Sequence, residues 1–530
     1  MQQSQYGKNE FLKSKTFVLV LLFILITITL YILFSKQLIK GIYNGTCSIE
    51  SLNRVICGQD IHSVEYYFEK TNRLFYRFPA LFFIYFLVFS LFKYKERIKN
   101  TLEKKKLNTN VILAGSSIVL CSCIILHILF HVDVLMPMVL FLFFISMLLF
   151  FIYSNNGEVE SKTALVSAVS LIILNGTIIR LFLAYTCYGN FDMHSFEIVA
   201  NIFTKGGNVY AETGRYNYSP IWFIILGFLK QIQIAFPVLA FHFVQKAFMC
   251  GIDLLILLFL ILISKTKKIS IINTTLLFYL NPVSFLLTGY HGQFESLAIL
   301  MILIGAFGYF RLENNPILRS SILWIFSTLG MVVKHNIFYE MIVCSKFAAK
   351  TCKLRFLLLV VSGLIFLSLF IPYLSDGSRG IAKNVFFYSS IKESYGINTF
   401  SCSKELKYLF VLGLFIYPFF LKDKDIIKQC LLCALFFLVF TTGISIQYFI
   451  LPVAFGALYP SKGFLLYSLI TSLFILGSAN NVNFGMFKIF NWWNIVWISA
   501  IYWFIAEQLN KEVVTQRFCN IYSKLTRARN

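Results

Sequence analysis

The sequence predicts an all-α, polytopic transmembrane protein, on three observations. Of its 530 residues, 58% are hydrophobic and only 13% charged, whereas about a quarter are charged in soluble chains. The apolar residues gather in runs of the length needed to cross a hydrocarbon core, about 20. Inside that core each backbone group must be hydrogen-bonded within its own segment, so these runs are helices. The formal net charge of +23 would suggest nucleic acid as the partner of a soluble protein. Here the lysines and arginines cluster in short loops between apolar runs, which marks the cytoplasmic face. The expected partner is therefore the lipid bilayer, with no nucleic acid. The 59 phenylalanines and 28 tyrosines suit a lipid-facing surface with rings at its borders.

About 13–16 transmembrane helices are expected from the run lengths. Lysines at 8, 13 and 15 precede the first run, 16–35, and place the N-terminus inside. That run is too long for a signal-peptide core and lacks a small-residue cleavage site, so it reads as a retained helix. Residues 36–77 are then external, and 78–92 returns to KYKERIKNTLEKKK, the most basic loop. A hairpin, 110–131 and 135–153, leads to the internal stretch SNNGEVESK. The next helix, 164–185, must exit, so the polar stretch after it lies outside.

Residues 219–233 are too short to cross before the full-length run 236–263, which ends in SKTKK. They are expected to lie at the external interface, with Pro220 in the first helical turn, where its missing N–H is not needed. The alternation continues with 269–289 outward, 294–310 inward, 318–333 outward, 337–349 inward and 356–373 outward. An external loop, 374–404, follows. The runs 406–421, 427–441, 448–459, 464–476 and 492–506 complete the count, with the basic tail KLTRARN inside.

Most of the 12 cysteines, including Cys121, Cys123, Cys250, Cys430 and Cys433, sit in apolar runs without metal-ligand spacing and read as small core residues. Cys47 and Cys57 share one polar loop and would pair only in an oxidising compartment. Asn44-Gly45-Thr46 would be a glycosylation acceptor if that loop faced the endoplasmic reticulum. A bacterial cytoplasmic membrane is the expected location, with the endoplasmic reticulum as the alternative.

On this count the unusual polar residues share the external side. Asp192, His194, Arg215, Tyr216 and Tyr218 lie in the segment that follows Arg180. His291, Gln293 and Glu295 lie in YHGQFES, Lys334 and His335 at another helix end, and Gln447 and Tyr448 at a third. Charge in or near hydrocarbon is costly and marks function. Inverting sugar transfer needs a carboxylate to take the acceptor proton and cationic donors near a leaving phosphate. Asp192 suits the first role, although an aspartate there would also serve a turn or a helix start. Glu295 is the rival base, unless it only balances a helix dipole. Lys334 and Arg180 are candidates for the phosphate, and a lysine at a helix end also snorkels. His291 and His335 would donate to a phosphate or hold a divalent cation, with hydrogen bonding favoured over metal. Tyr216 and Tyr218 would stack on sugar or belong to the interfacial belt. Asp253, inside a run, reads as a paired structural acid.

Several of these stretches resemble the GT-C superfamily of polyprenyl-phosphate-sugar-dependent glycosyltransferases, most closely family 87. FDMHSFEIVANIFTKGGNVYAETGRYNYSPIW is similar to that family's first external loop, with its early acid, G-x-x-Y turn and Y-x-P helix start. LNPVSFLLTGYHGQFESLAIL is similar to an N-P followed by G-Q-[IF]-D-S, and VVKHNIFYE to K-P-Q. FFYSSIKESYGI and ISIQYFILP resemble two later stretches. The matches run in order over about half the chain. They imply a GT-C-like fold and transfer of a hexose, mannose first, from a polyprenyl-phosphate donor to a glycan or lipid-linked acceptor. No cofactor is implied beyond an optional divalent cation. Asp192 would be the catalytic base, with Lys334 and the corner from Gln293 to Glu295 lining the donor site. Glu295 stands where the family has Asp, and His335 and Asn336 follow Lys334 in place of Pro and Gln. The implied organisation is 1–160 as N-terminal helices of unknown role, 161–350 as catalytic module with external loop 186–235, and 351–530 as C-terminal helices. Two other classes stay open: a flippase or polymerase of lipid-linked oligosaccharide, and a non-catalytic scaffold subunit.

Overall fold

The computed structural model describes residues 109–130, 135–153, 162–388, 395–396, 404–478 and 493–508, all within the unit Arg97–Asn530. The runs expected at 16–35 and 78–92, the Cys47 and Cys57 loop, the Asn44 motif, the basic loop at 93–106 and the basic tail lie outside the described residues. Among the described residues every regular element is a helix. Among them, five helices are long and apolar enough to cross a membrane, or six if one bent pair counts as a single span. The chain is a multi-pass membrane protein.

The hairpin forms α1 (Thr109–Phe130) and α2 (Leu135–Tyr153), followed by α3 (Lys162–Thr186). The expected external segment is largely helical: α4 (Phe191–Thr204), the single turn α5 (Val209–Glu212) and α6 (Pro220–Ala235). Pro220 occupies the first turn of α6, which is a separate 16-residue helix packed on α4. The long helix α7 (Phe241–Lys267) begins five residues later than the apolar run suggests, because residues 236–240 turn before it. It closes on Lys268 in the left-handed conformation (φ 56°).

The run expected as one helix over 269–289 is broken. α8 (Ile271–Tyr279) and α9 (Pro282–Phe285), which continues as a π-helical turn Leu286–Tyr290, meet at a 43° bend. Pro282 cannot donate a helical hydrogen bond, and its ring disfavours a continued helix before it. The Asn281 side chain accepts from Val283 N at 3.0 Å and restarts the helix. Its amide donates to Leu277 O and, at 2.9 Å, to Ser468 Oγ.

Then come α10 (Glu295–Arg311), α11 (Pro316–Val333), a 3₁₀ turn His335–Ile337, α12 (Phe338–Ala348) and α13 (Cys352–Ser368). What reads as an external loop after residue 373 begins helically as α14 (Leu374–Gly380), which runs on to Phe386 as a π-helical turn. The remainder is α15 (Lys404–Phe420), α16 (Ile426–Phe440), a 3₁₀ turn Ile446–Ile450, α17 (Val453–Leu458), α18 (Lys462–Ser478) and α19 (Trp493–Gln508). The run 448–459 is divided at Leu451 and Pro452, and 337–349 yields an 11-residue α-helix. Among the described residues, these short and broken helices fall below the length of a single span.

At the centre, α10 packs between α7 and α11. The fully buried Arg180 of α3 meets Asp253 of α7 at 3.0 Å. Its remaining donors reach Gly176 O, Tyr279 O at 2.6 Å and Ser284 Oγ at 2.7 Å. The carboxylate of Asp253 also accepts from Ser284, from Thr288 at 2.9 Å and from Ser296 at 2.9 Å. The partner of Asp253, unassignable from sequence, is therefore Arg180. Removing one member strands a buried charge, a loss of about 3–5 kcal/mol. Arg180→Met should lower the thermal unfolding temperature in detergent by several degrees, and Arg180→Met with Asp253→Leu should recover part of it. An Arg180→Met protein as stable as the parent would contradict this role.

Candidate functional site

Asp192 sits in the first turn of α4. Asn190 caps that helix by accepting from Asp192 N at 3.1 Å, so the aspartate is not itself the cap, and its carboxylate is left free for other partners near the positive end of the helix dipole. Asp192 is half-buried. Gln293 Nε2 donates to Asp192 Oδ2 at 2.8 Å. Asp192 Oδ1 accepts no hydrogen bond among the described residues. One oxygen is thus held and the other is open.

One residue beyond Gln293, Phe294 is the hub of a ring cluster. It stacks on Trp222 of α6 at 4.2 Å, meets Tyr218 edge-on at 4.8 Å and packs against Phe196 of α4. Glu295, fully buried, opens α10 and contacts Lys334 at 2.6 Å. The Lys334 ammonium lies 4.0 Å from the Phe294 ring centre and 4.1 Å from that of Tyr218, within cation–π range. The Lys334–Glu295 contact is close but not aligned as a directional hydrogen bond. Burial holds the Lys334 ammonium below its ordinary pKa, while Glu295 and then Asp192 pull the other way. Burial, then the charges of Asp192 and Glu295, push the Tyr218 phenol well above its usual range. Four separate chain segments thus bring Asp192, Tyr218, Gln293, Glu295 and Lys334 to one end of the bundle.

The segment between α4 and α6 is held by its own rings. Tyr216 is fully buried. It donates to Ser219 O, accepts from Phe223 N at 3.1 Å and packs against Tyr210, Tyr218 and Phe223. Its ring is committed to the loop core rather than open for sugar stacking. Ser219 Oγ donates to Val332 O at 2.5 Å, tying the start of α6 to the end of α11 beside Lys334. Asn208 Nδ2 donates to Asp376 Oδ1 at 2.6 Å and to Tyr373 O at 3.2 Å, so α5 docks on α14.

The other candidates are distributed unevenly. Arg215 is exposed and lies over the Phe191 ring at 4.4 Å, next to Asp192 in sequence. His194 is exposed on α4. Half-buried His335 packs near Phe366, and burial with the Lys334 charge lowers its imidazole to about 4. Gln447 is buried and accepts from Ser445. Tyr448 packs edge-on against Phe437. Arg180 has every donor nitrogen engaged by protein groups and is not gathered with the others. His291 is buried with both ring nitrogens unpartnered.

Sequence reasoning missed Tyr388, whose phenol is raised by burial and by Asp192. Its only signal is its place in FFYSSIKESYGI. Phe294 and Trp222 were also missed, since rings are too common in an apolar chain to mark a site. Among the described residues no group of three or more His, Cys, Asp or Glu converges to hold a metal ion.

A Cβ on Gly380 would fall 1.8 Å from Tyr210 O, so any side chain there forces α14 off α5. Gly380→Ala should increase cleavage by added protease within residues 205–215 of the folded protein. Cleavage unchanged from the parent would contradict the docking. No family model, curated protein or solved structure matches the chain.

Proposed function

We propose that the chain is an integral-membrane, inverting glycosyltransferase of GT-C-like architecture. It moves a hexose, mannose first, from a polyprenyl-phosphate donor to a glycan or lipid-linked acceptor on the non-cytoplasmic face. The observation that carries this reading is the half-exposed Asp192, with one oxygen fixed by Gln293 and the other open, beside the buried Lys334–Glu295 pair. A general base must be within hydrogen-bond reach of the proton it takes. Asp192 meets that need from the surface side of the cluster. Glu295 is enclosed and spent on Lys334, which favours Asp192 between the two carboxylates.

In this mechanism Asp192 Oδ1 removes the proton of the acceptor hydroxyl. The acceptor oxygen attacks the anomeric carbon as the bond from that carbon to the phosphate oxygen breaks. The electron pair leaves with the polyprenyl phosphate, whose chain lies among the apolar helices. The sugar has Tyr218 and Tyr388 beside the base, and Arg215 over Phe191 at the entrance. Since the donor arrives in the lipid phase, no nucleotide-binding domain is needed.

A flippase would require polar groups lining a route through the bundle. The central charges Arg180 and Asp253 instead satisfy one another in an enclosed network, which supports the enzyme over the flippase.

Purified protein incubated with labelled polyprenyl-phosphate-mannose and polyprenyl-phosphate-glucose should release or transfer sugar from one of them. Asp192→Asn should lower that turnover by about 10²–10⁴-fold, the range for loss of a general base, with elution and thermal stability unchanged. Turnover retained in a folded Asp192→Asn protein would sink the assignment.

A further inference from the structure

Among the described residues, the buried lysine and arginine side chains come with acids, with one exception. Arg180 has Asp253, Lys334 has Glu295 and Lys428 has Glu507. Lys246, in the second turn of α7, is fully buried. Among the described residues no carboxylate lies within ion-pair distance of it. Its one described hydrogen bond is to Cys187 O, at 2.5 Å, in the turn between α3 and α4. An ammonium buried without an acid is expensive, and one carbonyl leaves two of its three protons unspent.

A second unsatisfied group lies in the adjoining turn, near enough to feel the Lys246 charge. His291 is 3% exposed with neither ring nitrogen bonded. Burial and then the Lys246 charge push its imidazole down to about 3. It is neutral at ordinary pH, so one ring nitrogen carries a proton to donate. Gln245, the neighbour of Lys246, donates from Nε2 to Gly292 O at 2.8 Å and so anchors the turn that carries His291. Gly189 adopts φ +105°, a conformation open to glycine, and a Cβ there would lie 3.4 Å from Lys246 Nζ and 3.1 Å from Tyr290 O. The absence of a side chain at 189 lets the two turns close over the lysine.

We propose that Lys246 and His291 form a binding pocket for a phosphate group between α7 and the turns 187–190 and 290–293. A phosphate supplies the missing negative charge to Lys246 and an acceptor to His291, as charge-assisted hydrogen bonds require. The pocket is next to the base along both turns: Cys187 and Gly189 lead into Asp192, and His291 precedes Gln293, which holds Asp192. Assigning this phosphate to the sugar donor rests on the glycosyltransferase reading. In that case Lys246 and His291, rather than Arg180 and Lys334, hold the leaving group, because the latter two already have acids of their own.

The test measures binding of polyprenyl phosphate to purified protein in nanodiscs, for the parent, Lys246→Met, Lys246→Arg and Asp192→Asn. Lys246→Met should weaken binding about tenfold or more, as for a lost hydrogen bond to a charged group. Lys246→Arg should keep most of it, and Asp192→Asn should bind as the parent does. Competition by inorganic phosphate would identify a free-phosphate site, and lack of competition a lipid-headgroup site. In the unmutated protein, polyprenyl phosphate should slow amide hydrogen exchange in peptides covering the turns 187–190 and 290–293, read by mass, which keeps the test independent of variant folding. Unaltered exchange in both turns, or a folded Lys246→Met protein that binds as tightly as the parent, would overturn the pocket. Lys246-dependent binding without sugar transfer from any donor would keep the pocket and remove the transferase reading. Asp192-dependent transfer with donor binding unchanged in Lys246→Met would do the reverse.

Discussion

The ion pair between Arg180 and Asp253 is the constraint on which the rest of the bundle depends. Two charges removed from water cost several kcal/mol each, and their attraction offsets this only with good geometry and further hydrogen bonds. Both conditions are met. The guanidinium engages Asp253, two backbone carbonyls and Ser284, while the carboxylate also gathers Thr288 and Ser296. These partners come from α3, α7, the broken helix of α8 and α9, and α10. The network therefore fixes the rotation and depth of four elements that apolar packing alone would leave free to slide, since lipid and leucine are equally apolar surroundings.

Three of those elements deliver parts of the candidate site at one end. The end of α3 leads through the turn at Gly189 to Asp192. The π-helical turn after Pro282 delivers His291 and Gln293. The first residue of α10 is Glu295, and α11, packed on α10, ends at Lys334. The break at Pro282 also has a clear consequence. An unbroken helix from Ile271 would have carried residues 286–290 straight on, whereas the 43° bend redirects them so that Thr288 reaches Asp253 and Gln293 reaches Asp192. Irregular backbone at membrane depth is tolerated only where protein covers it, and residues 280–294 are all buried.

The helical class, the apolar runs and the separate helix beginning at Pro220 were legible because they rest on local pattern. Run length and proline in a first turn are visible without knowing any partner. What was hidden depends on rotation and long-range pairing. Arg180 read as a cation for phosphate because its partner lies 73 residues away. Tyr216 read as a surface ring because nothing local shows that its hydroxyl bonds Ser219 O and Phe223 N. Lys246 drew no attention as one cation near the start of a long apolar run. Its distinction is the lack of an acid, which appears only when the neighbours from other segments are in place. The length of the helices was misjudged for a related reason: hydropathy does not register a break when the residues around the proline are themselves apolar.

The most direct test of the account is the anomeric configuration of the product. The protein in nanodiscs is given polyprenyl-phosphate-mannose and an alkyl mannoside as acceptor, and the new glycosidic linkage is read by NMR. With one base, Asp192, taking the acceptor proton and the phosphate leaving from the opposite face of the sugar, the linkage should have the configuration opposite to the donor's. A product that retains the donor's configuration, or no product when the glucose donor is supplied in place of the mannose donor as well, would contradict the central claim.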